Sequence, residues 1–213
     1  MLALIGDILD ISKIEAGKVK FVLTEFSIVN VIDEIIINIQ PAIDGNGNTL
    51  HTDCDPAIGS MYSDSMMVRQ ILLNLMSNAA KFTHSGTISL TVRPTRDLTV
   101  EPDPDLSAVQ QSAPSADLPI AGDYIEFTIR DTGIGMSPDQ LTQIFQPFTQ
   151  ADSTTTRKYG GTGLGLTIGQ KLTGLLGGQI TVESTLNEGS CFVCTLPRRL
   201  HNADTPEAVH PIY

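Results

Sequence analysis

Three short blocks of polar and glycine residues have the types and spacing of a nucleotide pocket. In chain order they are Asn74-x3-Asn78-x2-Lys81, Asp131-Thr-Gly-Ile-Gly135 and Gly160-Gly-Thr-Gly-Leu-Gly-Leu166. Together they supply two amides, a cation, a carboxylate and two loops that glycine keeps flexible. A magnesium-bound triphosphate with an adenine at one end requires these groups. We therefore predict that the three blocks bind one such ligand.

The first block falls on a predicted helix. Asn74, Asn78 and Lys81 follow the spacing i, i+4, i+7, which places them on one helix face. Magnesium takes oxygen ligands and usually keeps waters while it shares phosphate oxygens, so we assign Asn78 as its protein ligand. Lys81 would bind a phosphate, where a charged hydrogen bond contributes about 1.5 to 3 kcal/mol. Alone, this block would be equally typical of a solvated helix face.

The other two blocks are predicted loops. Asp131 follows a strand, and its carboxylate can accept a hydrogen bond from the exocyclic amine of adenine, which guanine lacks at that edge. Gly133 and Gly135 allow positive φ and a close approach of the backbone to a ligand. In the third block, glycines that precede a helix expose N–H groups to phosphates, and Arg157 and Lys158 add cations. The block matches neither a Walker loop nor the GxGxxG dinucleotide fingerprint.

Hydrophobic spacing predicts the elements that position these blocks. Pro41 should bend or end the second helix, and residues 94–122, with five prolines and five acids, predict a mobile insertion in a hairpin. We predict one helix over residues 1–18 and another from Leu164 to Leu175. Three more helices are predicted to begin at Ser27, at Ser63 or Asp64, and at Ser137. The predicted strands are 49–54, 87–93, 125–130, 179–184 and 191–196.

Composition limits the function classes. The chain has 213 residues, 41% of them hydrophobic, and a net charge of -11, which opposes binding to a nucleic-acid backbone. We find no apolar run long enough for a spanning helix and no basic start typical of a signal peptide. Three cysteines favour a reducing compartment. Strand alternation would place Cys191 and Cys194 on opposite faces, against a shared zinc or redox site.

The chain resembles the catalytic and ATP-binding domain of sensor histidine kinases over about residues 1–198. The motifs that carry the resemblance are Gln70 to Thr83 for the N box, Asp131 to Met136 for the first glycine box, Phe145 to Phe148 for the F box and Gly161 to Leu166 for the second glycine box. Asp7 to Gly17 resembles the close of the second helix in the family's dimerisation hairpin. We expect Phe145 and Phe148 to anchor the loop to the core rather than to stack on the base.

The resemblance implies an α+β fold, a two-layer sandwich in which a mixed, mostly antiparallel sheet packs on about three helices, with ATP under a lid at residues 149–162. It implies three segments: 1–18 as part of the hairpin helix, 19–198 as the catalytic domain and 199–213 as a tail or linker. The N-terminal helix has apolar residues on more than one face, which suits a bundle or dimer. Packing on its own domain alone is the alternative.

The resemblance also implies that the γ-phosphoryl group of ATP passes to a histidine on a hairpin segment absent from this chain. None of His51, His84, His201 and His210 has the motif context of that acceptor. The implied partners are ATP, the histidine-bearing hairpin and a response regulator receiver domain. The chain itself would be mostly monomeric and its parent homodimeric. The implied location is cytoplasmic, with either a free or a membrane-anchored parent.

The predicted site follows from both lines of reasoning. Related ATPases carry a water-activating glutamate where this chain has Asn74, so an amide there predicts slow hydrolysis. A hydrolase, a degenerate scaffold and a dimerising module are the alternative functions. We predict Asn74 and Lys81 as catalytic, Asn78 as the Mg2+ ligand, and as ATP-binding residues Asn74, Asn78, Lys81, Asp131, Gly133, Gly135, Arg157, Lys158, Tyr159, Gly161, Thr162, Gly163, Leu164 and Gly165.

Overall fold

The computed structural model describes residues 19–95, 124–148 and 163–200, together with residues 6, 9, 11–14 and 16 of the N-terminal segment. Most of the predicted insertion, the predicted lid and the chain beyond residue 200 lie outside the described residues. The described elements are β1 (Thr24–Ser27), α1 (Ile28–Gly45), β2 (Thr49–Cys54), a 3-10 turn (Pro56–Ile58), β3 (Ser60–Ser63), α2 (Ser65–Phe82), β4 (Thr87–Thr95), β5 (Tyr124–Asp131), α3 (Pro138–Leu141), α4 (Gly165–Leu175), β6 (Gln179–Thr185) and β7 (Gly189–Pro197).

The main sheet has five strands in the order β2-β4-β5-β7-β6. Only the pair β2 and β4 is parallel, and the other three pairs of this sheet are antiparallel. The helix α2 packs against both α1 and α4, and it also contacts β5. The predicted fold class, a mixed and mostly antiparallel sheet on about three helices, is confirmed.

One face of the sheet forms the core with the helices. Leu90 and Val92 on β4 lie opposite Ile129 and Phe127 on β5, and all four are almost completely buried. The intervening Thr91 lies on the other face and is half-buried. This is the period of two that the sequence predicted for both strands.

The two cysteines of β7 lie on opposite faces, as their spacing predicted. Cys194 is fully buried in the core opposite Phe127, and burial raises the pKa of its thiol to about 12. Cys191 pairs in register with Arg130 on the outer face. The two thiols therefore cannot serve one metal or redox site.

Of the two predicted effects of Pro41, a bend or an end of α1, the second is wrong, because the helix continues to Gly45. Proline removes one helical hydrogen bond and crowds the carbonyl of residue i−4, here Ile37. Ile37 is 72% exposed, so the lost hydrogen bond and the steric crowding lie on the solvent side of the helix. Ile39 and Ile43 are buried on either side of Pro41 and hold the helix against the core.

The antiparallel pairing of β1 with β3 was not predicted. These strands have four residues each and form a separate antiparallel pair, in which Phe26 lies opposite Met61. Arg199 makes an isolated bridge with Tyr62, and Leu200 is buried. The folded unit therefore includes two residues that the predicted boundary at residue 198 assigned to the tail.

The described part of the N-terminal segment is helical at residues 11–14. Ile11 and Ile14 are partly buried and pack against the main core, which agrees with the alternative of packing on the chain's own domain. Leu9 remains 52% exposed. The assignment of residues 1–18 to a dimerisation hairpin stays a prediction.

Candidate nucleotide-binding site

Helix α2 carries the first block and is fixed at its N-terminal end by Asp64. Of the two predicted caps, Asp64 is the one that serves: its Oδ1 accepts from the N–H groups of Met66 (3.0 Å) and Met67 (3.1 Å). Its Oδ2 accepts from the N–H of Val22 at 2.8 Å, so the segment before β1 is tied to the same carboxylate. This cap satisfies N–H groups that a helix leaves without partners in its first turn.

The polar block lies on the predicted face of α2. Asn74, Asn78 and Lys81 are half-buried, whereas Leu75 and Ala79 beside them are buried in the core. The three polar side chains therefore border the protein interior without being enclosed by it.

The two glycine loops meet α2 at opposite ends of this block. The Nδ2 of Asn74 donates to the carbonyl of Gly165 at 3.0 Å. At the other end, the N–H of Ile134 donates to the carbonyl of Phe82 at 3.2 Å. Eight residues of helix separate these contacts, about 12 Å along its axis, and Asn78 and Lys81 lie between them. The structure thus brings the described parts of all three blocks around one stretch of α2.

Asp131 is a buried carboxylate, with 6% of its surface exposed. Its Oδ1 accepts from the N–H of Gly133 at 2.8 Å and lies 3.5 Å from the hydroxyl of Thr83. Burial nevertheless raises the pKa of Asp131, because loss of hydration outweighs the hydrogen bonds from Gly133, Ser190 and Thr83. A ligand that donates a further hydrogen bond would offset part of this desolvation.

The first glycine loop is held on its far side by the hairpin of β6 and β7. The N–H of Asn187 donates to the carbonyl of Ile134 at 2.7 Å, and the N–H of Met136 donates to the hydroxyl of Ser184 at 2.9 Å. Gly135 has φ +61, and a Cβ there would overlap the carbonyl of Thr185. The loop is therefore fixed before any ligand binds, which reduces the ordering cost of binding.

The second glycine loop leads into α4. Gly163 has φ +70, and Leu164, the cap residue, makes no side-chain hydrogen bond to the first turn of the helix. Leu164 is itself buried and anchors the loop. The cap residue of α4 therefore offers no side chain to the first-turn N–H groups, which point toward the end of the helix where an anion can bind.

Lys81 lies at the C-terminal end of the block, next to Phe82, which contacts the first glycine loop. Burial lowers the pKa of its ammonium group, and its Nζ lies 4.7 Å from the ring centroid of Phe82. A phosphate beside Lys81 would favour the charged form and act against this loss of hydration.

The structure tests part of the predicted F box. Phe145 packs against the core, and its carbonyl accepts from the hydroxyl of Thr167 at 3.0 Å. The anchoring prediction is right for Phe145 and wrong for Phe148, which has φ +61 and is 66% exposed. The positive φ turns the chain there, one residue before the predicted lid.

Several predicted site residues lie outside the described residues: Arg157, Lys158, Tyr159, Gly161 and Thr162.

Among the described residues, no three His, Cys, Asp or Glu side chains form a group that could hold a metal ion. None of the described helices combines the length with the apolar composition that crossing a bilayer requires.

Sequence reasoning missed Asn46, Asn48 and Ser184, whose side chains form hydrogen bonds with the segments that carry the site residues. Asn46-Gly-Asn48 is a turn signal. Its local pattern does not reveal that the two amides reach residues more than 30 positions further along the chain.

Comparison with known proteins agrees with this geometry. The profile of the family described as histidine kinase-, DNA gyrase B-, and HSP90-like ATPase matches residues 63–200, which include every described pocket residue. The chain belongs to this family.

Its relatives include proteins named as histidine kinases or sensor kinases from very different organisms. Hybrid signal transduction histidine kinase B of Dictyostelium discoideum is 36% identical over 206 residues, 96% of this chain and 9% of that protein. Autoinducer 2 sensor kinase/phosphatase LuxQ of Vibrio cholerae is 36% identical over 213 residues, 99% of this chain and 22% of that protein. This histidine kinase-type ATPase domain thus spans between 9% and 22% of the length of these relatives.

Solved structures support the same assignment. The crystal structure of full-length ShkA in complex with AMPPNP superposes with a TM-score of 0.71 and 26% identity, covering 92% of this chain and 35% of that chain. The catalytic domain of the histidine kinase ThkA, with a TM-score of 0.61, 22% identity and coverage of 84% of this chain and 97% of that chain, shares the fold.

Proposed function

We propose that this chain binds Mg-ATP and supplies the catalytic part of a sensor histidine kinase, which transfers the γ-phosphoryl group to a histidine on a hairpin segment of the parent protein. The observation that carries the proposal is the convergence on α2. Asn74 binds the second glycine loop and Phe82 binds the first, so the polar face between them borders both loops.

In this proposal the adenine lies at the end formed by the first glycine loop. Asp131 accepts a hydrogen bond from the exocyclic amine, and the fixed loop holds its carboxylate in place. The phosphates extend along α2 from Lys81, which lies at the end of the polar face near the first glycine loop, toward the N-terminal N–H groups of α4. Arg157, Lys158, Tyr159, Gly161 and Thr162 are proposed to complete the phosphate site.

Asn78 suits the role of a magnesium ligand. Its neutral amide oxygen is a hard oxygen donor, and it lies half-buried between the proposed adenine and phosphate ends of α2. A site with one protein ligand, phosphate oxygens and waters is typical of magnesium in nucleotide enzymes. The ion would supply charge neutralisation on the phosphates.

Transfer breaks the bond between the γ-phosphorus and its bridging oxygen and forms a bond from that phosphorus to an imidazole nitrogen, with ADP as the leaving group. Such a reaction depends mainly on positioning and on stabilisation of charge. Lys81 and the N-terminal N–H groups of α4 would hold the phosphates in line for attack. The acceptor histidine has to come from the hairpin of the parent.

Hydrolysis without the acceptor should be slow. Asn74 occupies the position where gyrase-type relatives have a glutamate base, and its amide already donates to the carbonyl of Gly165. An amide cannot take a proton from water near neutral pH. Water is therefore not activated at this position.

The test combines binding and transfer. Calorimetry should show Mg-ATP binding to the chain, and Asp131→Ala should weaken it about 10- to 100-fold, as expected for one lost charged hydrogen bond. Labelled ATP should phosphorylate the parent's hairpin segment when it is added in trans, and a His→Gln version of that hairpin should stay unlabelled. Rapid phosphate release by the chain alone would instead identify a hydrolase, and no ATP binding would identify a degenerate scaffold.

The remaining partners follow from the same proposal. A response regulator receiver domain would accept the phosphoryl group from the histidine. The parent would be a homodimer that acts in the cytoplasm, while the chain described above would be mostly monomeric. Sedimentation of the purified chain tests the last point, and a stable dimer would contradict it.

A further inference from the structure

The turn between α1 and β2 reaches the C-terminal end of α2 through two amides. The Nδ2 of Asn48 donates to the carbonyl of Thr83 at 2.8 Å and lies 3.4 Å from that of Ala80. Its Oδ1 accepts from the N–H of Gly86 at 3.1 Å. Asn46 contributes a single side-chain bond, to Ala80 at 2.8 Å.

These contacts replace what the helix itself cannot supply. The last carbonyls of an α-helix have no partners within the helix, and Thr83 leaves helical geometry with φ -108 and ψ 137. Asn48 is only 8% exposed, so water has little access to its amide. Asn48 therefore links the end of α2 to the residue just before β4.

The segment held by Asn48 is also the one that contacts Asp131 and the first glycine loop. The hydroxyl of Thr83 lies 3.5 Å from Oδ1 of Asp131. The carbonyl of Phe82, one residue earlier, accepts from the N–H of Ile134. A displacement of Thr83 would thus move both the partner of the Asp131 carboxylate and one attachment of the first glycine loop.

We propose that Asn48 is a positioning residue for recognition of the purine amine: it fixes Thr83, and Thr83 orients the carboxylate of Asp131. This inference rests on the proposed function, since it assumes that Asp131 binds adenine. Asn48 bonds to Ala80, Thr83 and Gly86, whereas the proposed phosphate contacts at the N-terminus of α4 lie at the opposite end of the polar face.

Two substitutions of Asn48 remove its hydrogen bond to Thr83 in different ways. Asn48→Asp keeps the shape and the acceptor for Gly86, but it places a carboxylate oxygen against the carbonyls of Thr83 and Ala80. Asn48→Ala removes both functions and leaves buried polar groups without partners. Both should release Thr83 by different routes, so agreement between them excludes an artefact of the introduced charge.

The experiment compares three ligands with magnesium present: ATP, ITP, which has an oxo group in place of the amine, and inorganic tripolyphosphate. We expect both Asn48 variants to lose about tenfold in affinity for ATP, the equivalent of one hydrogen bond. Their affinities for ITP and tripolyphosphate should stay within about twofold of the wild type. An equal loss for all three ligands, or no loss for ATP, would overturn the proposal.

Two controls separate positioning from general stability. Ile39→Val removes a buried methyl group from α1 and should lower stability without changing the ratio of ATP to ITP affinity. Asn46→Ala removes a bond to Ala80 and leaves Thr83 held, so it should also keep the ratio. If Asn46→Ala reduced the ratio as much as Asn48→Ala, the role assigned to Thr83 would be wrong.

A double-mutant cycle tests the route through Thr83. If Asn48 acts through Thr83, then Asn48→Ala should have little further effect on the ATP to ITP ratio in a Thr83→Val background. Additive effects would refute this route. A wild-type chain that does not prefer ATP over ITP would instead contradict the proposed function, so the two failures are distinguishable.

Discussion

At the scale of single residues, Asp131 combines a proposed role in binding with a cost in stability. Its carboxylate is buried, and its pKa is raised because desolvation outweighs the hydrogen bonds that it accepts. The native state therefore binds a proton more tightly at this residue than the unfolded state does. By linkage, the contribution of Asp131 to stability falls as the pH rises from about 3.9, the unfolded value, through the raised folded value.

Asp131→Asn should therefore separate binding from stability. The amide oxygen can still accept from Gly133, and no buried charge remains at neutral pH. We expect ATP affinity to fall about 10- to 100-fold, while the free energy of unfolding at pH 7 without nucleotide stays equal or rises. Calorimetry and urea denaturation at pH 7 measure the two quantities.

The matched control for this substitution is Asp139→Asn, which removes the same charge from an exposed position in α3. It should leave ATP affinity unchanged. If Asp131→Asn bound ATP as tightly as the wild type, adenine recognition by this carboxylate would be refuted.

Lys81 should take up a proton when ATP binds at high pH. Burial lowers its pKa in the free protein, whereas an adjacent phosphate favours the charged form and raises it. Between the two values, binding draws a proton from the buffer. Calorimetry near pH 9.5, just below the ordinary lysine value of about 10.4, in buffers of different ionisation enthalpy should show net uptake. Equal uptake by Lys81→Met would show that another group is responsible.

At the scale of elements, α2 is the part that organises the site. Its N-terminal end is fixed by Asp64, its middle is tied to the second glycine loop through Asn74, and its C-terminal end is held by Asn48. The proposed ligand-binding face is thereby set in position by the cap of the helix itself and by contacts from two distant segments, the turn at Asn48 and the loop at Gly165. Such pre-organisation reduces the entropy that ligand binding would otherwise lose.

The continuation of α1 through Pro41 leads to a prediction about this helix. Pro41→Ala would restore a hydrogen bond to the carbonyl of Ile37 and remove a steric clash. We expect the free energy of unfolding to rise by about 1 to 3 kcal/mol, measured by urea denaturation.

The control for that substitution is Pro138→Ala at the first position of α3, where proline fits without cost. This change should alter stability by less than about 0.5 kcal/mol. A loss of stability in Pro41→Ala would mean that the packing of α1 requires the local geometry that Pro41 imposes.

Elements with strong periodicity were predictable, and those held by distant contacts were not. The alternation in β4 and β5, the cap at Asp64 and the capping box of Ser137 and Gln140 are all local patterns, and the structure shows each of them. The strands β1 and β3 are too short for a periodic signal, and their pairing joins segments more than 30 residues apart. The partners of Asn48 are hidden for the same reason.

At the scale of the whole molecule, the structure describes a histidine kinase-type ATPase domain that is preceded by a short N-terminal segment. The carboxylate of Asp64 that caps α2 also accepts the N–H of Val22, so the stretch between the N-terminal segment and β1 is held against α2. Ile11 and Ile14 also pack against the core. The N-terminal segment therefore contributes to the stability of the domain that binds the nucleotide.

Removal of residues 1–18 should lower stability and leave nucleotide binding intact. Ile11 and Ile14 are each about half-buried, so their loss should cost about 1 to 3 kcal/mol in the free energy of unfolding. The bond between Val22 and Asp64 remains, and the described pocket contacts all lie between residues 74 and 190. ATP affinity should therefore change less than about twofold.

Urea denaturation and calorimetry of both forms measure these effects, and Ile11→Ser with Ile14→Ser in the full chain should reproduce the loss of stability. If the shortened chain were equally stable but bound ATP poorly, the N-terminal segment would act on the pocket rather than on the core.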